Sequence, residues 1–137
     1  AGGGSVAAVM RVGRDEARRH GVIEGEPAGE RTWRVRRIVE KPADPPSELA
    51  VVHAYVLEPE IWDVLAGQRP GTGGEIWLTD AVSELARRSP VHAYEFEGER
   101  FDAGDRAGYA KAFVATALAR PDIGPGLRDW LEKRLRG

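Results

Sequence analysis

Two residues of opposite charge, Glu40 and Lys41, stand at the end of a predicted strand, directly before Pro42. A carboxylate there can accept hydrogen bonds from two adjacent sugar hydroxyls, and a neighbouring ammonium can meet a phosphate as a point charge. Ligands of open α/β sheets bind outside the carboxyl ends of the strands. Because the chain turns at Pro42, both side chains can face one cleft. From the residue types alone, a surface ion pair before a turn is the simpler interpretation.

A second run that could do chemistry is Phe101-Asp102-Ala103-Gly104-Asp105, where a glycine permits a tight turn between two carboxylates. Mg²⁺ usually takes one or two protein carboxylates together with phosphate oxygens. Asp102 is therefore a candidate metal ligand if phosphates lie beside it. Without that context, Asp102 as a turn former and Asp105 as a helix N-cap are the simpler interpretation.

Other common catalytic signatures are missing from the sequence. It contains no cysteine, no nucleophile elbow and no phosphate-binding loop of the P-loop type. The run Gly71-Thr72-Gly73-Gly74 lacks the following Lys-Ser/Thr and is interpreted as a mobile loop. The histidines are not at metal-ligand spacing and are expected to be packed or surface residues; they are His20, His53 and His92.

The composition predicts a soluble globular domain of 137 residues, with 42% hydrophobic and 31% charged residues. A net charge of -2 argues against nucleic acid or an acidic membrane as a partner. No apolar run approaches the roughly 18–20 residues needed to span a bilayer, and the N-terminus does not have the pattern of a signal peptide. The absence of cysteine is compatible with a reducing compartment.

Hydrophobic periodicity predicts strands at residues 5–12, 21–24, 32–40, 49–57 and 91–97, with a turn over residues 25–29. Helices are expected from Pro59 to Ala66, after a capping box formed by Thr72 and Glu75, after the N-cap Asp105, and at the C-terminus. Strands and helices alternate without an internal repeat, which predicts an α/β structure. The expected apolar stripes are Leu78, Ala81, Val82, Leu85 and Ala86, then Ala110, Phe113, Val114, Ala117 and Leu118, then Leu127, Trp130, Leu131 and Leu135.

Taken in order, several runs resemble the C-terminal half of the bacterial UTP–glucose-1-phosphate uridylyltransferase family, also called UDP-glucose pyrophosphorylases. The resemblance covers nearly the whole chain, and its strength comes from the order of the runs, since each is weak alone. They are Arg19-His20-Gly21-Val22-Ile23, Ile38-Val39-Glu40-Lys41-Pro42, Pro46-Ser47-Glu48-Leu49-Ala50-Val51-Val52, Gly73-Gly74-Glu75-Ile76-Trp77-Leu78-Thr79-Asp80-Ala81, Tyr94-Glu95-Phe96-Glu97-Gly98, Phe101-Asp102-Ala103-Gly104-Asp105 and Arg120-Pro121-Asp122-Ile123-Gly124-Pro125.

The resemblance implies a role for five residues. Glu40 would hold sugar hydroxyls, and Lys41 would neutralise phosphate as the catalytic cation. Gly21 would let the sugar approach the backbone, Val51 would line the sugar pocket, and Asp102 would bind Mg²⁺ beside the phosphates. The implied reaction is in-line attack of the sugar phosphate on the α-phosphorus of UTP, which releases pyrophosphate.

The resemblance also implies a fold: the second half of a Rossmann-like mixed sheet with flanking helices. The chain is expected to be a single partial domain, residues 1–137, with a helical tail at 121–137. The Gly-rich G-x-G-T-R run of the family's nucleotide half does not occur here, so we expect a fragment that is inactive alone. A sheet cut in half would expose an unpaired strand edge, which predicts self-association.

Two further expectations concern the surroundings of the protein. The resemblance implies a cytoplasmic enzyme that acts on UTP and glucose-1-phosphate and forms a homo-oligomer at full length. The alternatives are a non-catalytic sugar-phosphate-binding or oligomerisation module of the same fold, and an α/β domain without a ligand.

The sequence departs from the family pattern at three places, which are His20 for Tyr, His53-Ala54 for Gly-Arg, and Trp77 for Gln.

Overall fold

The apolar runs of the first two thirds of the chain form five strands in the computed structural model, which describes residues 3–71 and 74–137. The strands are β1 (Ser5–Arg11), β2 (Gly21–Gly29), β3 (Thr32–Glu40), β4 (Leu49–Val56) and β5 (Val91–Glu95). The helices are α1 (Arg14–Ala17), α2 (Ile61–Ala66), α3 (Leu78–Arg88), α4 (Arg106–Leu118) and α5 (Gly124–Arg136). By its internal packing the chain divides into two units, Ala1–Glu97 and Gly98–Gly137.

The first unit contains one mixed sheet in the strand order β1-β4-β2-β3-β5. β1 and β5 run parallel, with Ser5 opposite Val91, and every other pair is antiparallel. Helices flank the sheet, and α3 packs against β3. The prediction of a mixed sheet with flanking helices is therefore confirmed.

The prediction that the sheet has an unpaired strand edge is wrong. β5 pairs with β1 along its length and with β3 through Thr32–Tyr94, Trp33–Ala93 and Arg34–His92, so the described strands close into a barrel. Full closure removes long edges, because each strand has a partner on both sides over part of its length. The seam between β2 and β4 is short, with Val22 opposite Ala50 as its one register pair in the described residues.

An apolar core cluster fills the space between the sheet and the helices α2 and α3. It contains Ile23 from β2, Val35 from β3 and Leu85, which is fully buried on α3. Fully burying such a side chain contributes about 1.5–3 kcal/mol. The core cluster consists of Val9, Ile23, Val35, Ile38, Leu49, Val51, Ile61, Val64, Ala81, Val82, Leu85, Val91 and Ala93.

β2 is longer than predicted, because residues 25–29 continue the strand instead of turning. Pro27 pairs with Trp33 near the turn of the β2–β3 hairpin, where its missing N–H breaks no ladder to another strand. Register shifts on either side of this segment absorb the irregularity. The chain turns at Glu30 and Arg31, where Arg31 adopts a left-handed φ of 55°.

The start of α3 was predicted too early. Thr72 lies outside the described residues, and Glu75 precedes the helix, whose N-cap is Trp77 without a side-chain cap. The backbone carbonyl of Trp77 instead accepts from the N–H groups of Asp80 and Ala81 at 3.1 and 3.4 Å. Of the predicted stripe, Ala81, Val82 and Leu85 are buried, whereas Leu78 is 39% exposed.

The second unit holds α4 and α5, and the predicted N-cap of α4 is confirmed. The Asp105 carboxylate accepts from the N–H groups of Ala107 and Gly108. The predicted apolar stripes are mostly not buried: Ala117 alone among the α4 stripe is fully buried, Phe113 is 66% exposed and Trp130 is 58% exposed. Within the described residues, no helix combines the length and the apolar character needed to cross a membrane.

Candidate functional site

Glu40 and Lys41 line the same cleft of the first unit, as the strand-end position predicts. β3 ends at Glu40, and Lys41 adopts a left-handed φ of 42°. This conformation costs a residue with a side chain roughly 1–2 kcal/mol. It is held by the Lys41 N–H, which donates to the His20 carbonyl at 3.0 Å. The reversal at Lys41 ends the strand's alternation, so that both side chains reach one cleft.

Gly21 lies directly opposite Glu40 in the β2–β3 ladder. A Cβ at this position would lie 2.9 Å from Thr79 Cγ2, 3.1 Å from Glu40 Oε2 and 3.2 Å from Ile38 Cγ2. Real Cβ atoms essentially never show the shortest of these separations. Glycine therefore lets the Glu40 carboxylate lie against the backbone of β2, which brings two of the predicted site residues together.

Thr79 fixes the carboxylate of Glu40 from the first turn of α3. Its hydroxyl donates to Glu40 Oε2 at 3.1 Å, and the residue is 3% exposed. Burial, followed by the negative charge of Glu40, raises the pKa of Tyr55 to about 12. The Tyr55 hydroxyl is buried and has no hydrogen-bond partner among the described residues. Tyr55 is therefore a neutral donor in the vicinity of the Glu40 carboxylate.

The cleft has a volume of about 680 Å³ and contains three cationic and three acidic side chains. Arg37 pairs with Glu24 at 2.8 Å, and Glu84 accepts from both Arg87 and Arg88. These arginines hold the pKa of the Glu84 carboxyl below its usual range. The complete lining is Arg37, Ile38, Val39, Glu40, Lys41, Trp77, Asp80, Ser83, Glu84 and Arg87.

Lys41 differs from the arginines of the cleft in its neighbour. Its ammonium lies 4.8 Å from the ring centroid of Trp77, and no carboxylate pairs with it among the described residues. An ammonium without an anionic partner is available to a ligand phosphate. The simpler interpretation of Glu40 and Lys41 as a surface ion pair does not match this geometry.

Val51, the predicted sugar-pocket residue, lies outside the cleft. It is 1% exposed, belongs to the core cluster and pairs with Val9 of β1, and it is not among the residues that line the cleft. Its side chain therefore serves packing in this structure, and its role beside a sugar stays a prediction. His53, three residues from the end of β4, is exposed at an irregularity of the β1–β4 ladder and has a left-handed φ of 59°.

Asp102 belongs to the second unit, where its exposed carboxylate accepts from the Gly104 N–H at 2.9 Å through Oδ1. Among the described residues there is no cluster of three or more side chains able to hold a metal ion. One protein carboxylate fits Mg²⁺ when substrate phosphates supply the other ligands, since Mg²⁺ is commonly bound that way. The donor set of the described residues is therefore compatible with Mg²⁺ when a phosphate supplies further ligands.

Gly108 holds the Asp102 turn against α4, and the sequence reasoning missed it. A Cβ on Gly108 would overlap the backbone carbonyl oxygen of Asp102. We expect Gly108→Ala to lower the free energy of unfolding by about 1–3 kcal/mol, as overpacking does. Gly126→Ala on α5, where a Cβ meets nothing within 4 Å, should instead raise it by about 0.5–1 kcal/mol.

Urea denaturation of both variants, followed by circular dichroism, measures these changes. A Gly108→Ala variant as stable as the parent chain would show that the turn can move away from α4 without cost.

Three further residues of the first unit were not identified from the sequence as site residues: Thr79, Tyr55 and Trp77. Thr79 and Trp77 lie 39 and 36 positions away from the residues they contact, and no local pattern joins them. The one available signal was that Trp77 departs from the family pattern within a run that otherwise matches it. Tyr55 gave no signal, because an aromatic residue in a strand is usually a packing residue.

Most of the chain matches a known protein family. The family model described as "Nucleotidyl transferase" matches residues 1–118. A UTP–glucose-1-phosphate uridylyltransferase of Streptococcus pneumoniae is 42% identical over 93% of this chain and 44% of its own length. One of Staphylococcus epidermidis is 38% identical over 96% of this chain and 46% of its own length. The chain therefore spans less than half the length of these curated relatives.

Solved structures of related enzymes also match most of this chain over less than half of their own length. A UDP-glucose pyrophosphorylase complexed with UDP-glucose is 39% identical, with a TM-score of 0.77, over 85% of this chain and 45% of that one. A UTP-bound enzyme of the same kind from Acinetobacter baumannii is 30% identical, with a TM-score of 0.80, over 93% of this chain and 45% of that one.

Proposed function

The chain belongs to the nucleotidyl transferase family, and from this premise we propose that it is the sugar-phosphate-binding part of a UTP–glucose-1-phosphate uridylyltransferase. The observation that carries the proposal is the cleft in which Glu40, opposite Gly21, and Lys41 face the same space. Glu40 accepts hydrogen bonds from sugar hydroxyls, and the ammonium of Lys41 lies against the sugar phosphate.

In the proposed reaction, a phosphate oxygen of glucose-1-phosphate attacks the α-phosphorus of UTP. The new oxygen–phosphorus bond joins sugar phosphate to nucleotide, and the bond from the α-phosphorus to the bridging oxygen breaks, so that pyrophosphate leaves with both electrons. No proton has to move, and catalysis of this kind consists of positioning and charge neutralisation. Lys41 contributes the charge, and Glu40 fixes the sugar.

We assign Mg²⁺ to Asp102 as part of the same proposal. When bound, the ion would neutralise charge on the phosphate oxygens. Asp102 would hold it through the carboxylate, whose orientation is restrained by the Gly104 N–H. A cytoplasmic location and a homo-oligomeric full-length protein also belong to the proposal, and the large apolar side chains exposed on α4 and α5 favour association.

Binding and turnover test the proposal separately. The 137-residue chain should bind glucose-1-phosphate in isothermal titration calorimetry, with glucose as the control that lacks the phosphate, and should release no pyrophosphate from UTP and glucose-1-phosphate. A chimera in which this chain replaces the matched segment of the Streptococcus pneumoniae relative should release pyrophosphate. Absence of glucose-1-phosphate binding would contradict the proposal. Binding together with an inactive but folded chimera would favour a non-catalytic sugar-phosphate-binding module.

A further inference from the structure

Trp77 and Lys41 form a contact that the proposed reaction does not by itself explain. The ammonium nitrogen of Lys41 lies 4.8 Å from the centroid of the indole ring, within the range of a cation–π interaction. Both residues line the cleft described above. Tryptophan is the aromatic residue that attracts an ammonium most strongly, because its ring face carries the largest negative potential.

The backbones on both sides of this contact are fixed. The Trp77 carbonyl accepts from Gln68 Nε2 at 2.8 Å and from the first N–H groups of α3, so the indole projects from a restrained position. The Lys41 N–H is bound to the His20 carbonyl. What remains free is the four-carbon stem of Lys41, which loses much rotamer freedom when its ammonium is confined. The indole confines it before any ligand arrives.

We propose that Trp77 is a positioning residue for Lys41: it holds the ammonium on the cleft wall, so that a sugar phosphate meets a charge already in place. The inference rests on the proposed function, because it takes the phosphate as the group that Lys41 contacts. A ligand that finds the charge in place has less conformational entropy to remove on binding. A cation–π contact at an exposed site corresponds to about a two- to fivefold change in an equilibrium constant.

Thr79, two positions after Trp77, contacts Glu40 in the way that Trp77 contacts Lys41. Its hydroxyl holds Glu40, at 3.1 Å, as the indole holds Lys41, so two residues at the start of α3 place the two charged groups proposed to bind the ligand. Thr79→Val removes the hydroxyl and keeps the shape, and it should leave the contact between Lys41 and Trp77 unchanged.

The contact is tested without any ligand by NMR of the chain labelled with ¹³C-lysine. Only three lysines occur, so Lys111 and Lys133 serve as internal references. The ε-methylene protons of Lys41 should be shifted upfield by the indole ring current, in the parent chain and in Thr79→Val. The shift should be smaller in Trp77→Phe and lost in Trp77→Leu. An unshifted Lys41 signal in the parent chain would overturn the inference.

The positioning role is tested by calorimetric titration of the same variants with glucose-1-phosphate. Trp77→Leu should raise Kd about two- to fivefold, and Trp77→Phe should stay within about twofold of the parent. A ring-current shift together with an unchanged Kd in Trp77→Leu would overturn the positioning role and leave the proposed function intact. No binding by the parent chain would overturn both.

If Trp77→Leu fails to unfold cooperatively, Trp77→Met, which also lacks an aromatic ring, replaces it in a double-mutant cycle with Lys41→Met. Coupling between the two changes in Kd supports the inference, and additive effects overturn it.

Discussion

Replacement of Gly21 by valine is expected to weaken binding of glucose-1-phosphate by roughly 5- to 150-fold. The added Cβ would lie 2.9 Å from Thr79 Cγ2 and 3.1 Å from Glu40 Oε2, and the two methyl groups beyond it need space that the carboxylate occupies. Overpacking of a filled site costs about 1–3 kcal/mol, which corresponds to roughly 5- to 150-fold in an equilibrium constant. We expect the cost to appear as weaker ligand binding because the added side chain displaces the Glu40 carboxylate.

Calorimetric titration of the 137-residue chain measures the effect, with Gly29→Val as the matched control. Gly29 belongs to the same strand, and a Cβ there meets only Thr32 Cβ, at 3.8 Å. The control should bind as the parent does. Equal affinities of Gly21→Val and the parent would show that Glu40 does not hold the sugar.

Removal of the charge of Lys41 is expected to lower kcat/KM by at least about tenfold in the chimera with the Streptococcus pneumoniae relative. Lys41→Met keeps an unbranched stem beside Trp77 and removes only the ammonium. Charge-assisted contacts to phosphate are among the stronger polar interactions, so their loss is seen in transition-state stabilisation. Because no carboxylate pairs with Lys41 among the described residues, its removal leaves no orphaned anion in the cleft.

Pyrophosphate release at several concentrations of glucose-1-phosphate separates kcat from KM. Lys133→Met, an exposed change on α5 that also removes one positive charge, is the control and should leave both parameters unchanged. Thermal unfolding should place the two variants within about 1 kcal/mol of the parent. A Lys41→Met chimera with unchanged kcat/KM would remove Lys41 from the proposed reaction.

Glu40 and Lys41 illustrate how much of the site can be predicted from the sequence. Their place at a strand end could be predicted, because period-2 alternation and Pro42 are local features of residues 32–42. The turn itself differs from the expectation, since Lys41 makes it with a left-handed φ. That conformation is maintained by the His20 carbonyl, a partner 21 positions away, and no local preference of lysine predicts it.

Local chemistry also determined the strands and the N-cap of α4. The Asp105 carboxylate binds N–H groups two and three positions further on, and such contacts form wherever the chain takes that turn. The start of α3 was misplaced for the opposite reason. A capping-box spacing at Thr72 and Glu75 was available, but the helix begins where the Trp77 carbonyl, held by Gln68, accepts its first N–H groups.

By itself, then, the sequence determined the strands, most of the helices, the strand-end position of Glu40 and Lys41, and, through resemblance, the family. Only the tertiary structure decided that the sheet closes, that Val51 is buried in the core, and that Trp77 and Thr79 reach across to the charged pair. The physical reason is the distance along the chain over which each kind of interaction acts. Periodicity, capping and turn preferences act over a few residues, whereas strand closure and side-chain contacts depend on how distant segments pack against one shared core.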